Sequence, residues 1–277
     1  MVIIKFSGAL GNQLFEYALY KKISMKTPVK ADLSNFDKGL EQRKFYLEEL
    51  DIKLDHSTRE DLRKYSFNIP VLNGLKKRLG FINVYNEKES YVFDEEALHI
   101  EDGYLDGYWQ CPKYFDDIKE DIIKDIRFPE LSEDQNEIKK KMEISNSVSI
   151  HVRMGDYLKF KDKYGNICSI DYYKKTIDII KSKVSDPVFY GFSDDIDMAS
   201  ELLSDEDICW IRSNSEDNAY NDMNLMSSCK HNIIANSSFS WWGAYLGTYK
   251  DKIVIAPSKW TNTSNRCYIW CDNWIRV

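Results

Sequence analysis

From Val148 to Ala256 the chain alternates short apolar runs with longer amphipathic stretches. Strands are expected near Val148–Val152, Val188–Phe192, Ile208–Ile211, Asn232–Ala235 and Ile253–Ala256. Helices are expected near Asp171–Lys183, Ile196–Leu203, Ala219–Ser227 and Phe239–Leu246. Few architectures satisfy that alternation, and the one it specifies is a parallel sheet with helices on both faces. In such α/β sheets ligands sit outside the carboxyl ends of the strands. The polar residues that directly follow each apolar run are therefore the candidates for function.

The first such run continues as S-I-H-V-R-M-G-D-Y, Ser149 to Tyr157. With Val148, Ile150 and Val152 facing a core, strand alternation sends His151 and Arg153 to the other side. Gly155 lets the backbone turn freely, and Asp156 follows it. An imidazole, a guanidinium and a carboxylate thus gather at one strand end. An arginine fork matches phosphate oxygens, so the first reading is a site for a phosphorylated ligand with acid/base chemistry beside it. The simpler reading is a strand ending in a solvated Arg–Asp pair. Two more runs end in polar clusters: Ser193-Asp194-Asp195, and Asn236-Ser237-Ser238-Phe239-Ser240 ahead of Trp241 and Trp242. Each alone reads as a helix cap. Together the three strand ends line one edge with groups suited to a nucleotide. Carboxylates accept from guanine, and hydroxyls, backbone N–H groups and arginine hold phosphates. Asp195 and Asp197 spell D-x-D, a metal spacing. They fall in a helix's first turn, where acids complement the dipole. With Arg153 present no metal is expected.

The amino terminus reads as strand Val2–Phe6, a glycine loop through Gly8 and Gly11 to Gln13, helix Leu14–Lys26 and strand Val29–Asp32. This arrangement offers N–H groups to an anion. As a dinucleotide fingerprint, with Asp32 as the ribose acid, it is incomplete: the first glycine of G-x-G-x-x-G would fall on Phe6. Lys38 to Ser90 is charged, with helical stretches near Ser57–Tyr65 and Leu72–Leu79. A strand over Tyr104–Gln110 and helices over Tyr114–Phe128 and Leu131–Met142 follow. Lys139–Ser147 reads as a linker, which divides the chain into lobes 1–145 and 146–277.

A net charge of −7 over 277 residues leaves no broad basic face, so nucleic acid is excluded as partner. The first residues read as a strand and not a signal peptide, and no apolar run reaches membrane-spanning length, so a cytoplasmic protein is expected.

The chain resembles the bacterial α-1,2-fucosyltransferases, glycosyltransferase family 11. The resemblance rests on G-A-L-G-N-Q-L-F-E-Y-A (Gly8 to Ala18), H-V-R-M-G-D-Y (His151 to Tyr157), F-S-D-D (Phe192 to Asp195) and N-S-S-F-S-W-W-G-A-Y-L (Asn236 to Leu246). One departure is Met154, where the family has a second arginine. The resemblance implies a GT-B-like α/β fold of two Rossmann-like lobes with a cleft between them: an acceptor-side lobe and a GDP-sugar-binding lobe. It implies transfer of L-fucose from GDP-β-L-fucose, with inversion and without a required metal, to the 2-hydroxyl of a terminal β-galactoside. If that acceptor is a lipid-linked glycan, as in O-antigen assembly, the enzyme would work at the inner face of the cell membrane. Arg153 would bind the β-phosphate and stabilise it as it leaves. His151 would support the diphosphate or its arginine. Asp194 and Asp195, with Ser193, would face guanine. Asn236, Ser238, Phe239 and Ser240 would hold phosphate and ribose. Asn12, with Gly11 in the glycine loop, would contact the departing oxygen or the acceptor. Asp156 is the candidate general base. A structural role holding Arg153 is an equal alternative, because an Asp beside an Arg is a poor base, and the leaving diphosphate could itself take the proton. Two rivals are a nicotinamide-dependent oxidoreductase built on the first loop and Asp32, and a GDP-sugar-binding module without turnover.

Overall fold

The computed structural model describes residues 1–37, 39, 43–65, 83–155, 161–212 and 218–277. The chain forms two compact units, Met1–Arg127 and Phe128–Val277. The helix expected over Leu72–Leu79 lies outside the described residues, as does Asp156.

In the first unit, strand β1 (Val2–Lys5) leads into helix α1 (Leu10–Ser24) and returns as β2 (Val29–Asp32). Short strands β3 (Val84–Asn86) and β4 (Gly103–Asp106) complete a parallel sheet of order β2-β1-β4-β3, and helix α2 (Lys119–Asp125) follows. Val2, Ile3 and Ile4 are fully buried, as their unbroken apolar run requires. Helix α1 starts four residues earlier than expected, so Gly11 lies in its first turn and the loop is only Ser7–Ala9. Gly8, at φ +74°, makes that tight turn. The strand expected to reach Gln110 stops at Asp106, because Trp109 adopts a left-handed turn at φ +55°. The helix expected over Tyr114–Phe128 is broken into 3-10 turns at Pro112–Tyr114 and Asp116–Ile118 ahead of α2. Phe115, at φ −149° and ψ 4°, interrupts the helical ladder.

The second unit opens with helix α3 (Glu133–Ile144), capped reciprocally by Ser132 and Gln135. It runs directly into β5 (Asn146–Val152). The stretch expected as a linker is therefore helix and strand, and the division falls at Arg127/Phe128 instead of 145/146. The charges of Lys139–Glu143 coat the outer face of α3, while Met142 is fully buried. Next come α4 (Ile170–Lys183), β6 (Pro187–Ser193), α5 (Ile196–Leu202), β7 (Ile208–Trp210), α6 (Ala219–Ser228), β8 (His231–Ile233), α7 (Ser238–Leu246), β9 (Val254–Ala256) and β10 (Ile275–Arg276). All strands are parallel, in the order β10-β9-β8-β5-β6-β7. The chain proceeds outward from β5 through β6 to β7, then jumps back across β5 to continue through β8 the other way. The order reverses between β5 and β8.

Strand β5 is buried on both faces. Val148, Ile150 and Val152 pack with Tyr173, Ile177 and Ile180 of α4 and Ala199 of α5. On the other face, Ser149 and His151 lie in register with Tyr190 and Phe192 of β6, which pack against Leu225 and Met226 of α6. Asn232 of β8 donates through Nδ2 to Ser149 Oγ (2.6 Å) and to the Met226 carbonyl (2.9 Å), so buried polar groups lock β8, β5 and α6 together. Trp241 and Trp242 are fully buried, and Trp241 Nε1 donates to the Ile269 carbonyl at 2.7 Å. Trp241→Phe deletes that bond and leaves a gap where the second ring of the indole packed. It is expected to cost about 2–4 kcal/mol, seen as a lower urea midpoint with an unchanged slope.

Candidate active site

The carboxyl end of β5 stands beside the point where the strand order reverses, where two loops diverge and leave a crevice. Arg153 is the first residue past the strand, and its side chain is about a quarter exposed (23%). Its Nη1 lies 3.3 Å from Asp194 Oδ2. Asp194 also accepts from the backbone N–H of Met154 (2.8 Å) and of Gly155 (2.9 Å). One carboxylate thus fixes the turn that carries Arg153 and aligns its guanidinium. This placement follows from the register: Val152 pairs with Ser193, so Asp194 continues β6 level with Arg153.

Asp194 gives its oxygens to the loop and the arginine. Gly155 is needed for close approach and not for a left-handed backbone: a Cβ there would sit 2.8 Å from Asp194 Oδ2. Asp195 is a helix cap, its Oδ1 accepting from Met198 N (3.0 Å). Ser193 Oγ accepts from Asp195 N and donates to its carbonyl (both 3.0 Å), closing the same turn. Asp197, the second acid of D-x-D, pairs at the surface with Arg212 (3.6 Å). The capping reading holds for this cluster.

His151 is almost fully buried (3% exposed), and its ring lies 5.8 Å from that of Phe239 at the start of α7. Among the described residues its buried Nδ1 has no hydrogen-bond partner. Burial first, and the nearby Arg153 charge second, hold its pKa well below the ordinary value near 6.5. His151 is therefore a neutral imidazole, able to exchange a hydrogen bond with a ligand but not to add positive charge.

Across the crevice, α7 begins at Ser238 with Ser237 as its N-cap, and the Ser237 side chain makes no capping hydrogen bond among the described residues. Its first N–H groups point along the carboxyl edge, an arrangement that favours anions. Ser237, Ser238 and Phe239 are half-buried there. Asn236 and Ser240 serve the loop instead. Asn236 Nδ2 donates to the Trp260 carbonyl (3.1 Å), its Oδ1 accepts from Cys168 Sγ (3.4 Å), and Ser240 Oγ contacts the carbonyls of Ala235 and Ser237.

Asp222 is a further candidate that the sequence reading misses. It lies in the first turn of α6 and is largely buried. A β–α crossover in a parallel sheet starts its helix at the carboxyl edge, and α6 packs on the face that carries His151. In sequence it looks like an ordinary acid near a helix start, so only the packing distinguishes it.

In the first unit, the strand order reverses between β1 and β4. Asn12, in the first turn of α1, accepts at Oδ1 from Gln110 Nε2 (2.8 Å), which follows β4. Gly11 is buried within that turn. Asp32 is engaged by the Tyr104 hydroxyl (2.7 Å) and by Ser34 N (2.9 Å).

Glycosyl transferase family 11 matches the chain over residues 1–277. Among curated proteins, the O-antigen biosynthesis glycosyltransferase WbnK of Escherichia coli is 33% identical, covering 98% of each chain. The alpha-1,2-colitosyltransferase of Escherichia coli is 30% identical over 100% of this chain and 99% of its own. Among solved structures, the fucosyltransferase NodZ from Bradyrhizobium superposes at a TM-score of 0.50 with 13% identity, over 87% of this chain and 90% of that one. NodZ alpha-1,6-fucosyltransferase has also been crystallised and soaked with GDP-fucose. No helix among the described residues is long and apolar enough to cross a membrane.

Two outcomes test this geometry. Below about pH 6.5 the unfolded chain takes up a proton that the buried His151 resists, so stability is complete above that pH and declines as the pH falls. His151→Asn should flatten that acid-side decline in urea titrations at pH 5 and pH 7.5; equal declines in both proteins would refute a buried neutral histidine. Gly155→Ala should displace the Asp194 carboxylate and lower the urea midpoint by the equivalent of about 1–2 kcal/mol, near the worth of one or two hydrogen bonds.

Proposed function

The chain belongs to glycosyl transferase family 11 and is a glycosyltransferase of the GT-B type. From that premise we propose that it transfers L-fucose from GDP-β-L-fucose to the 2-hydroxyl of a terminal β-galactoside, in the assembly of a surface glycan such as O-antigen. The observation that carries the reading is the crevice between β5 and β8. Arg153 held by Asp194, the buried Nδ1 of His151 and the start of α7 meet there at the edge of one sheet. A cation, a neutral imidazole and a row of N–H groups suit a nucleoside diphosphate.

Arg153 binds the β-phosphate, and its hold strengthens as the bond from the sugar carbon to the diphosphate oxygen breaks and negative charge grows on GDP. The N–H groups of α7, with Ser238, take the other phosphate oxygens. Phe239 lies against the base or ribose beside His151. With Asp194 and Asp195 committed to the turn and the cap, we assign guanine recognition to Asp222, whose carboxylate can accept from the ring N–H and the amino group. The galactose hydroxyl attacks the anomeric carbon from the opposite face, which inverts it. The electron pair of the broken bond leaves with GDP. The hydroxyl proton passes to Asp156 or to the departing diphosphate. Arg153 and the helix start supply the positive potential, so no metal is required.

A second donor is favoured by one observation: a relative covering the whole chain is an alpha-1,2-colitosyltransferase. Colitose is fucose without its 3-hydroxyl. A site that hydrogen-bonds that hydroxyl discriminates strongly against the analogue lacking it, whereas an apolar contact there would admit the deoxy sugar.

The test is GDP release from GDP-fucose and from GDP-colitose, with and without a β-galactoside, in excess EDTA. Galactoside-dependent release from GDP-fucose, undiminished by EDTA and reduced about 10²–10³-fold in Arg153→Ala, is expected. Release from GDP-colitose alone would replace the donor. Tight binding of GDP-fucose without turnover on any acceptor would reduce the protein to a binding module.

A further inference from the structure

Strand β8 lies between β5 and β9, and it does not leave both neighbours at the same point. Its ladder with β5 ends at the pair Ile150–Ile233. Beyond that pair the Ile234 N–H still donates to the Ile255 carbonyl of β9 at 2.9 Å. Strand β8 therefore parts from β5 while it still holds β9, and that parting opens the crevice. It also leaves one strand carbonyl to be satisfied on each flank. In a parallel ladder the N–H and C=O of one residue face the same neighbour. The next rung with β5 would bring the Ala235 N–H to the His151 carbonyl. The next rung with β9 would bring an N–H from residue 257 to the Ile234 carbonyl, but Pro257 has none to give.

Both carbonyls are met from one helix. Tyr173 Oη donates to the His151 carbonyl at 3.0 Å, and Tyr172 Oη donates to the Ile234 carbonyl at 2.6 Å. The two tyrosines stand in the first turn of α4, where the Ser169 cap accepts from Tyr172 N at 3.3 Å. Both are buried, and their rings meet edge to face at 5.1 Å. Helix α4 covers the Val148, Ile150 and Val152 face of β5, so the Tyr173 hydroxyl reaches the strand end from the side opposite the His151 imidazole.

We propose that Tyr173 is a positioning residue for the donor site: its hydroxyl stands in for the missing rung at His151 and so holds β5 and β8 apart. The His151 carbonyl belongs to the peptide that joins His151 to Val152, and Arg153 follows directly. Fixing that peptide fixes the direction in which the imidazole and the guanidinium leave the strand. Without the hydroxyl, the next donor in the ladder is the Ala235 N–H, and making that rung draws β8 onto β5 where the crevice stands open. Tyr172 works on the other flank, and β8 keeps its own amide bond to β9 when that hydroxyl is removed. The inference rests on the nucleotide-binding role given to this crevice above and adds what holds it open.

The experiment compares Tyr173→Phe with Tyr172→Phe. Each variant deletes one buried hydroxyl and keeps its ring, so the two urea midpoints should fall by similar amounts and show that both chains fold. In calorimetry Tyr173→Phe should weaken GDP binding about tenfold, and Tyr172→Phe less than about twofold. In an Arg153→Ala background, itself weaker by about tenfold or more, Tyr173→Phe should add less than about threefold, because the two changes act on one site. The His151 ring signals in the NMR spectrum of the unliganded protein, identified by their loss in His151→Asn, should move in Tyr173→Phe and hold in Tyr172→Phe. Equal losses of GDP affinity in the two tyrosine variants would reduce Tyr173 to a general stabilising contact and overturn the inference, as would unmoved His151 signals in Tyr173→Phe. Wild-type affinity in Tyr173→Phe beside a weakened Arg153→Ala overturns the positioning and leaves the nucleotide site standing. Wild-type affinity in Arg153→Ala overturns both.

Discussion

Strand β5 is covered on both faces, and much of the second unit follows from that requirement. A central parallel strand can be buried twice only if crossover helices land on opposite sides of the sheet. Helices α4 and α5 supply one layer, over Val148, Ile150 and Val152; α6, together with α3, supplies the other, over the register of Ser149 and His151. Filling both layers makes the chain return across β5, which opens the crevice between β5 and β8. The same double burial dries His151 and keeps it neutral. Arg153, just beyond the covered length, is the first side chain on β5 that can carry a charge into that crevice without the cost of a dry interior.

The Arg153–Asp194 contact shows how an acidic protein can keep one cation oriented for the phosphorylated donor proposed above. A carboxylate beside the arginine weakens its net field, which looks unfavourable for phosphate binding. Asp194, however, is tied by two backbone N–H groups, so it acts more as a bracket than as a competitor. A guanidinium held by one edge keeps its other donors in a fixed plane, and the entropy of orienting a long side chain is lost on folding instead of on binding. Met154, which stands where the family has arginine, gives only its backbone N–H to this bracket and packs its side chain with the core of β5 and α4. The missing charge therefore lies on the far side of the strand from the crevice.

Most strands and helices of the second unit were legible because burial imposes a period, and periods survive in sequence. The runs at Val148, Val188 and Ile208 and the helices at Asp171, Ile196 and Ala219 fall within a residue or two of their expected limits. Strands β3 and β10 were not legible, since β3 has no buried residue to mark it and β10 is only two residues long. Isoleucines at 118, 122 and 126 have helical spacing, yet only part of that stretch is helix, because the backbone at Phe115 breaks the ladder that the side chains suggest. The candidate site was legible as a location and much less as a set of roles. His151, Arg153 and the start of α7 could be placed from strand alternation alone. Which of two adjacent aspartates brackets the arginine depends on register between strands forty residues apart in sequence, and no local pattern encodes that. Asp222 and Tyr173 have ordinary local surroundings, and only packing from elsewhere in the fold makes them candidates.

The two units share a strand–turn–helix at the point where their strand order reverses, and the contrast between them argues where phosphate belongs. In the first unit the Ser7 N–H, which a dinucleotide-binding loop would aim at a pyrophosphate, donates to the carboxylate of Glu16 (3.0 and 3.2 Å), and the Ser7 hydroxyl does the same (3.1 Å). Glu16 is completely buried, so the loop carries its own internal anion where a phosphate would have to sit. Asp32, which would have to bind a ribose, is committed to Tyr104 and Ser34. A nicotinamide dinucleotide would meet an occupied donor and a buried carboxylate at its pyrophosphate anchor, and an acid already engaged at its ribose anchor. The second unit has the opposite electrostatics: an arginine, a helix start and a buried imidazole nitrogen without a partner among the described residues. The first unit's edge is instead shaped around neutral amides, Asn12 and Gln110, which suit hydroxyls and an uncharged sugar better than a diphosphate.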